Sequence, residues 1–212
     1  MNMTRSLGLA CALVLASLSG AVAQRTETRE SKPEHNGAPV QIDLPPPEQV
    51  NGGQRERNFG AEMDGLGQCV WTTTGMLARW GNVPELYDVA RKIPYGGGHP
   101  RKFDEVMQKH APHVQYVQYL GTDPSILDLA LATGRPCGVT YGYGEFYGGQ
   151  TIPHMVMLAH LDSQWAAIID NNDPLVWTWM RRAEFLKRWT HLGGQGWAVV
   201  LVVPPPPPVP KN

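Results

Sequence analysis

Cysteine is scarce in this chain of 212 residues, which contains three cysteines. Cys11 falls in an apolar N-terminal segment that we expect to be removed, so the mature protein would keep Cys69 and Cys137. Two cysteines are too few for a small fold that is held together by disulfides. Seven tryptophans supply large apolar side chains instead, and we therefore expect an ordinary hydrophobic core.

The chain also lacks an excess of charge of one sign, because it contains 18 Lys and Arg residues and 19 Asp and Glu residues. No basic stripe runs along the chain, which argues against nucleic acid or an anionic membrane surface as a partner. Clustered metal ligands are missing too. His110 and His113 lie close in sequence, but without a cysteine or carboxylate cluster they are interpreted as surface histidines, and we expect no metal and no cofactor.

Residues 1–23 have the pattern of a signal peptide. Arg5 precedes an uncharged apolar run, and Ala21-Val22-Ala23 matches the small-x-small cleavage pattern, so Gln24 would become the new N-terminus. An uncleaved anchor is the rival interpretation, but the apolar run is short and the cleavage pattern follows it closely. Cys11 does not lie at a lipoprotein position. We expect export to the periplasm or the medium, without stable membrane insertion after cleavage.

One domain is expected between two polar or proline-rich ends. Residues 24–57 are rich in proline, glycine and charge and show no apolar periodicity, which predicts a flexible linker or an arm that wraps the domain. Residues 58–203 would form the domain, a length that fits a single unit. Residues 204–212 form a proline-rich tail, which is typical of polyproline II.

Within the domain, predicted helices come first and predicted strands follow. Apolar periodicity and capping residues predict helices over 69–80, 84–92, 102–110 and 123–133, with a later one over 182–189. Apolar runs predict strands over 114–120, 136–143, 154–161, 164–170, 175–180 and 196–203. This segregation predicts an α+β fold in which N-terminal helices pack on a mainly antiparallel sheet.

Cys69 lies where a loop containing Gly65 and Gly67 meets the first predicted core helix. The unpaired N–H groups and the dipole of a helix N-terminus favour a thiolate, which is the reactive form of cysteine. The alternative is a small buried residue at a helix end. Cys137 lies in an apolar strand and is interpreted as a buried structural thiol; a disulfide between the two cysteines would silence Cys69.

His154 and Asp170 are the candidate partners of this cysteine. His154 opens the strand HMVMLAHL, and the following strand, QWAAIID, ends at Asp170 after a tight turn over 161–163. An antiparallel pair places the start of the first strand beside the end of the second, so His154 would be the base and Asp170 its orienting acid. Asn171 and Asn172 follow and could take this orienting role instead, with Asn171 as the second choice. The glycine- and tyrosine-rich residues 141–149 are expected to form a loop over the cleft that binds peptide.

A cysteine that opens the first core helix, a histidine that opens a strand and an acid that ends the next strand resemble the order found in papain-like cysteine peptidases. The later half is most similar to the double-glycine leader peptidase type. The resemblance is carried by GQCVWTTTGML, PHMVMLAHLDSQWAAIIDNNDP and MRRAEFLKRW, and it covers residues 58–203. It implies a papain-like fold with Cys69 as nucleophile, His154 as general base and Asp170 as orienter. Where the family has an oxyanion-hole glutamine this chain has Met63, and Gln68 stands beside the nucleophile instead.

These expectations define a secreted thiol hydrolase, most simply a cysteine peptidase with a peptide or protein substrate. One alternative is a binding module on the same fold that holds a peptide or an envelope polymer without turning it over, and Met63 motivates it. Another is acyl or peptidyl transfer, in which an amine replaces water. The cleavage specificity and the oligomeric state stay open in the sequence.

Overall fold

The computed structural model describes residues 25–29, 40–51, 67–93, 97–147, 150–190 and 194–204. The expected signal peptide over 1–23 lies outside these ranges, as do residues 205–212 of the proline-rich tail. Within the described ranges, no helix combines the length and the apolar character needed to cross a membrane.

Most helices precede the main sheet in the chain. They are α1 (Pro47–Asn51), α2 (Cys69–Trp80), α3 (Val89–Lys92), α4 (Pro100–His110), α5 (Ser125–Ala132) and α6 (Arg182–Trp189), with a 3₁₀ turn at Pro84–Leu86. Local chemistry explains where several of them begin. Pro100 opens α4, where a missing N–H is harmless, and the ring of His99 accepts a hydrogen bond from the Lys102 backbone. The Asp123 carboxylate likewise accepts from the Ser125 backbone at the start of α5.

The strands form two sheets. They are β1 (Arg25–Arg29), β2 (Val40–Leu44), β3 (Tyr116–Gly121), β4 (Cys137–Tyr147), β5 (Gln150–Leu161), β6 (Trp165–Asp170), β7 (Asp173–Arg181) and β8 (Gly196–Leu201). The first two pair with each other, and the other six form one sheet in the order β3-β8-β4-β5-β6-β7, with every described pairing antiparallel. Helices packed on this sheet confirm the predicted α+β class.

Both faces of the six-stranded sheet are covered, which explains why its central strands read as continuous apolar runs. Successive residues of a strand point to opposite faces. Met155 and Met157 of β5 pack into the cluster that contains α2 and α4, whereas Val156 and Leu158 pack into the cluster that contains α5 and α6. The strand that carries His154 is therefore held between two layers of helices.

The segment 141–149 differs from its prediction as a loop. Strand β4 continues to Tyr147 and β5 already begins at Gln150, so most of this segment belongs to a long β-hairpin. Its register shifts between Tyr141 and Glu145, which is the kind of irregularity that glycines permit in strands. His154 therefore lies inside β5 rather than at its start. The peptide contacts expected from the aromatic residues after Tyr141 lie outside the side chains that the structure describes.

The region expected to be a linker or arm contains β1, β2 and α1. Helix α1 packs against α2 and β7. The Asn51 side chain donates a hydrogen bond to the Pro174 carbonyl oxygen at 2.6 Å, and the Trp177 indole N–H donates to the Pro45 carbonyl oxygen at 2.9 Å. Val50, which belongs to α1, is itself buried. Residues 44–51, which we call the docking arm, thus lie against the helix that starts at Cys69.

Candidate active site

Cys69 is the first residue of α2, at the helix end where backbone N–H groups lack intrahelical acceptors. Gln68 precedes it without capping the helix through its side chain. The Gln68 amide is instead buried, and its Nε2 atom donates to the carbonyl oxygen of Ile93 at 2.5 Å. This bond anchors the loop before the helix. The Cys69 side chain is almost enclosed, since the residue is 7% exposed.

His154 and Asp170 meet across the β5–β6 pair. The strands run antiparallel with Met157 opposite Ile169, which brings the residue three positions before Met157 close to the end of β6. The Nε2 atom of His154 lies 2.7 Å from Oδ1 of Asp170. A carboxylate only accepts hydrogen bonds, so Nε2 is the donor. The backbone N–H of Asn172 donates to the same Oδ1 atom at 2.8 Å, and this turn fixes the carboxylate.

The sulfur of Cys69 lies beside the same imidazole, since its hydrogen bonding and its negative charge are among the influences that raise the pKa of His154. Since Nε2 is bound to Asp170, Nδ1 is the ring nitrogen left for the sulfur. The imidazole is 6% exposed. The structure thus brings together the three residues that the sequence singled out, from α2, β5 and the end of β6.

The electrostatics of this group favour a protonated imidazole. Burial by itself lowers the pKa of His154, but hydrogen bonds and negative charge from Asp170 and Cys69 outweigh it and raise the pKa to about 10. Burial by itself raises the pKa of Asp170. The hydrogen bond and charge of His154, together with the backbone N–H of Asn172, outweigh that effect and hold the carboxyl pKa below its usual range.

Asn171, the second choice for the orienting role, points elsewhere. Its carboxamide nitrogen lies near the carbonyl oxygens of Met155 and Cys69 and near the Thr73 hydroxyl. Asn172 approaches the ring more closely, with Nδ2 at 3.4 Å from the His154 Nε2 atom. Asp170 therefore holds the imidazole, and Asn171 serves a different set of atoms.

Cys137 lies in β4 and is fully buried, in the cluster that contains α5 and α6. Burial raises the pKa of its thiol to about 12, which disfavours the thiolate. Cys69 belongs to the other cluster, and both cysteines are free. The alternative of a disulfide that silences Cys69 is therefore not the arrangement found.

The loop before α4 lies against the start of α2 and was not identified as part of the site from sequence. Gly98 packs directly on Val70, the residue after Cys69: an added Cβ atom would lie 2.6 Å from Val70 Cγ1. The Lys102 ammonium donates to the Gly97 carbonyl oxygen at 3.0 Å and lies 5.8 Å from the centre of the Trp71 ring. Residues 97–99 thus form a wall beside the start of α2. The run of glycines was the available signal, since glycine permits close backbone approach.

The other candidates do not join this site. Met63, the residue at the expected oxyanion-hole position, lies outside the described residues. His113 contacts Glu85 on the surface. His160 pairs with Asp162 near the other end of β5, with 2.9 Å between Nε2 and Oδ2. No group of three or more potential metal ligands occurs within the described part of the chain.

Comparison with known proteins adds a likeness in structure. Neither the protein-family models nor the curated proteins include a match to this chain. Among solved structures, the chain is similar to the crystal structure of a proposed C39-like peptidase from Bacillus anthracis. The TM-score is 0.46 at 18% sequence identity, over 62% of this chain and 88% of that one.

Proposed function

We propose that this protein is an exported thiol hydrolase, most simply a cysteine peptidase, that acts through Cys69, His154 and Asp170. The observation that carries the proposal is the buried His154 imidazole, which is hydrogen-bonded to Asp170 and lies beside Cys69, whose interaction with the ring raises the His154 pKa. A nucleophile, a base and a group that orients the base are what covalent acyl transfer requires. Assignment to the double-glycine leader type of papain-like peptidase, and export through residues 1–23, belong to the same proposal and rest on sequence patterns.

The reaction follows from these contacts. The Cys69 thiolate attacks the carbonyl carbon of an amide, a C–S bond forms, and negative charge moves to the carbonyl oxygen. The N–H of Cys69, in the first turn of α2, is placed to stabilise that oxyanion. The His154 imidazolium then gives its proton to the leaving amine as the C–N bond breaks. Water, deprotonated by His154, attacks the thioester, and the acid product leaves with Cys69 restored.

Asp170 contributes by holding the imidazole rather than by taking its proton. Its hydrogen bond at Nε2 leaves Nδ1 for the sulfur and stabilises the positive charge of the ring. The low pKa of this carboxyl keeps it ionised at neutral pH. The sulfur and the imidazole therefore exchange a proton within a nearly enclosed site in which electrostatic interactions are strong.

Alkylation of the mature chain, residues 24–212, tests the proposal. Iodoacetamide at mildly acidic pH should modify Cys69 much faster than Cys137, because the proposed base lies beside the Cys69 sulfur, whereas burial raises the pKa of the Cys137 thiol to about 12. Mass spectrometry of tryptic peptides gives both rates, and His154→Ala is the matched control, because it keeps Cys69 and removes its partner, whereas Cys137 is fully buried and reacts slowly for that reason alone. A Cys69 rate that is unchanged in His154→Ala would overturn the activated-thiol assignment.

Hydrolysis of a generic peptide pool then separates an enzyme from a binding module. The wild-type chain should generate new amino termini, and Cys69→Ala should not, whereas Cys137→Ala should retain the activity of its folded fraction. If Cys69 is alkylated rapidly but no peptide is cleaved, the protein is a binding module with a reactive thiol. If products form only when a small amine is added, the reaction is transfer.

A further inference from the structure

Asn171 is fully buried, and its Nδ2 atom lies at the meeting point of three segments of the chain. The three oxygens around it belong to the Met155 carbonyl at 2.7 Å, the Thr73 hydroxyl at 2.9 Å and the Cys69 carbonyl at 3.2 Å. The Thr73 hydroxyl itself donates to the Met155 carbonyl at 3.0 Å. Four polar groups thus form one network inside the protein.

The chemistry of these groups determines the orientation of the carboxamide. The carbonyl oxygens of Cys69 and Met155 only accept hydrogen bonds, so they must face the amide N–H groups. A flipped carboxamide would press its own oxygen against both. The Oδ1 atom of Asn171 is buried and has no hydrogen-bond partner, which is an unfavourable state for a polar atom. Packing alone does not explain a side chain that carries such a cost, since an apolar side chain of the same size would avoid it.

The three segments that meet at Asn171 are those that carry the proposed catalytic residues. Cys69 supplies one carbonyl itself, Met155 follows His154 in β5, and Asn171 follows Asp170. We propose that Asn171 is a positioning residue that fixes the backbones of these segments relative to one another; this inference rests on the function proposed above. It touches no reacting atom and acts through the three residues that do.

A directional contact adds to the apolar packing between α2 and the sheet. Met76 and Leu77 of α2 lie in the same cluster as Met155 and Met157 of β5. Apolar contacts fill space but tolerate small sliding movements, whereas a hydrogen bond weakens when its distance or angle changes. Catalysis is sensitive to such movements, since a displacement of about 1 Å can cost roughly 10²-fold in rate.

The test compares Asn171→Leu with Thr74→Val. Leucine keeps the branched shape and the number of heavy atoms of the side chain and removes the donors. Thr74 is a matched control. Like Asn171 it is buried, but it lies within α2, and its hydroxyl donates to the Val70 carbonyl of the same helix at 2.7 Å. Both variants lose buried hydrogen bonds, but only the first removes hydrogen bonds that join the helix to β5 and to the turn after β6. We expect Asn171→Leu to lower kcat per folded molecule roughly 10²-fold with KM changed less than about threefold, and Thr74→Val to keep kcat.

Two further variants keep the inference testable if Asn171→Leu does not fold. Thr73→Val removes the bridging hydroxyl alone and should lower kcat by a smaller factor. Asn171→Asp keeps the shape, and its neutral acid form can donate one hydrogen bond while its carboxylate cannot. Its kcat relative to wild type should therefore be higher at acidic pH and fall as pH rises. A ratio that does not change with pH would indicate only a structural role.

The outcomes separate this inference from the function on which it rests. If the wild type cleaves peptide and alkylates selectively at Cys69, but Asn171→Leu retains as much kcat as Thr74→Val, the inference is wrong and the function stands. If the wild type shows neither property, the proposed function fails and the positioning role fails with it. Alkylation rates of Cys69 in all variants provide a second readout that needs no substrate.

Discussion

The Nε2 atom of His154 lies 2.7 Å from Oδ1 of Asp170, and that same oxygen accepts the backbone N–H of Asn172. The backbone of the turn therefore fixes the position of the Asp170 carboxylate, and the carboxylate in turn orients the imidazole. A second histidine–carboxylate pair, His160 with Asp162, occurs on the same hairpin. The Asp162 carboxylate also accepts backbone N–H groups of its turn. The His154 ring also lies beside Cys69, whose hydrogen bonding and charge help to raise its pKa.

The alkaline limit of activity should depend on Asp170. His154 must be protonated to give a proton to the leaving amine, and its pKa of about 10 predicts activity that persists well above neutral pH. Asp170→Asn removes a negative charge and should move the alkaline limb of kcat/KM down by roughly 1–3 pH units. Asp162→Asn is the control and should leave the limb in place. An unchanged limb in Asp170→Asn would contradict the assignment.

The same pair should contribute to stability within a defined pH window. The raised pKa of His154 gives a contribution that is complete below its ordinary value of 6.5 and is lost as pH rises towards 10. The lowered pKa of Asp170 gives a contribution that is present above its ordinary value of 3.8 and is lost as pH falls below it. The difference in unfolding free energy between wild type and Asp170→Asn should therefore be largest at pH values between these two. Urea unfolding over a pH series measures it, and a difference that is constant with pH would argue against the ion pair.

Gly98 should be required for the shape of the wall beside Cys69. A Cβ atom there would lie 2.6–2.8 Å from the Val70 side chain, so Gly98→Ala should cost roughly 1–3 kcal/mol of stability and lower activity. Gly97→Ala is the adjacent control, because the nearest atom to its Cβ would be the Gly67 carbonyl oxygen at 3.8 Å. Adding Val70→Ala to Gly98→Ala should restore part of the stability that Gly98→Ala loses. Thermal unfolding and peptide cleavage measure both effects; equal behaviour of the two alanine variants would exclude the clash.

The docking arm, residues 44–51, should be part of the folded domain. Its Leu44 and Val50 side chains are buried, and each fully buried aliphatic side chain contributes about 1.5–3 kcal/mol. A chain that starts at residue 52 should therefore be less stable by roughly 3–6 kcal/mol than one that starts at residue 24. Trp177→Phe removes the indole donor to Pro45 and part of a buried ring, so it should cost more than the about 1 kcal/mol of a lost hydrogen bond. Equal denaturant midpoints for the two chains would show that the arm is dispensable.

Much of the fold follows from short-range patterns. Helix α2 was predicted from Cys69 to Trp80 because its apolar residues recur at helical spacing and Gly81 follows, and these are its bounds. The meeting of His154 and Asp170 followed from one tight turn, since a short connection leaves two strands little choice except an antiparallel pair. These features depend on interactions between residues that are close along the chain.

Other features depended on register and packing. If side chains alternated strictly between the two faces of β6, the sequence would determine which of Asp170 and Asn171 faces the imidazole. The register is irregular, however: the pairing of β6 with β7 shifts between Ile168 and Asp170, and the pairing of β5 with β6 shifts between Leu158 and His160. The extension of β4 and β5 through residues 141–147 and 150–153 replaced an expected loop, because pairing across the hairpin outweighed the low strand propensity of glycine.

The sequence by itself determined the α+β class, the helix that starts at Cys69 and the hairpin that joins His154 to Asp170, because each of these depends on spacing within a few residues or across one turn. Only the tertiary structure decided that α2 meets β5, that Asn171 joins them from inside, and that Gly98 and the docking arm lie against the same helix. Those contacts join residues far apart in the chain, and whether they form depends on how complementary surfaces pack and how buried polar groups are satisfied.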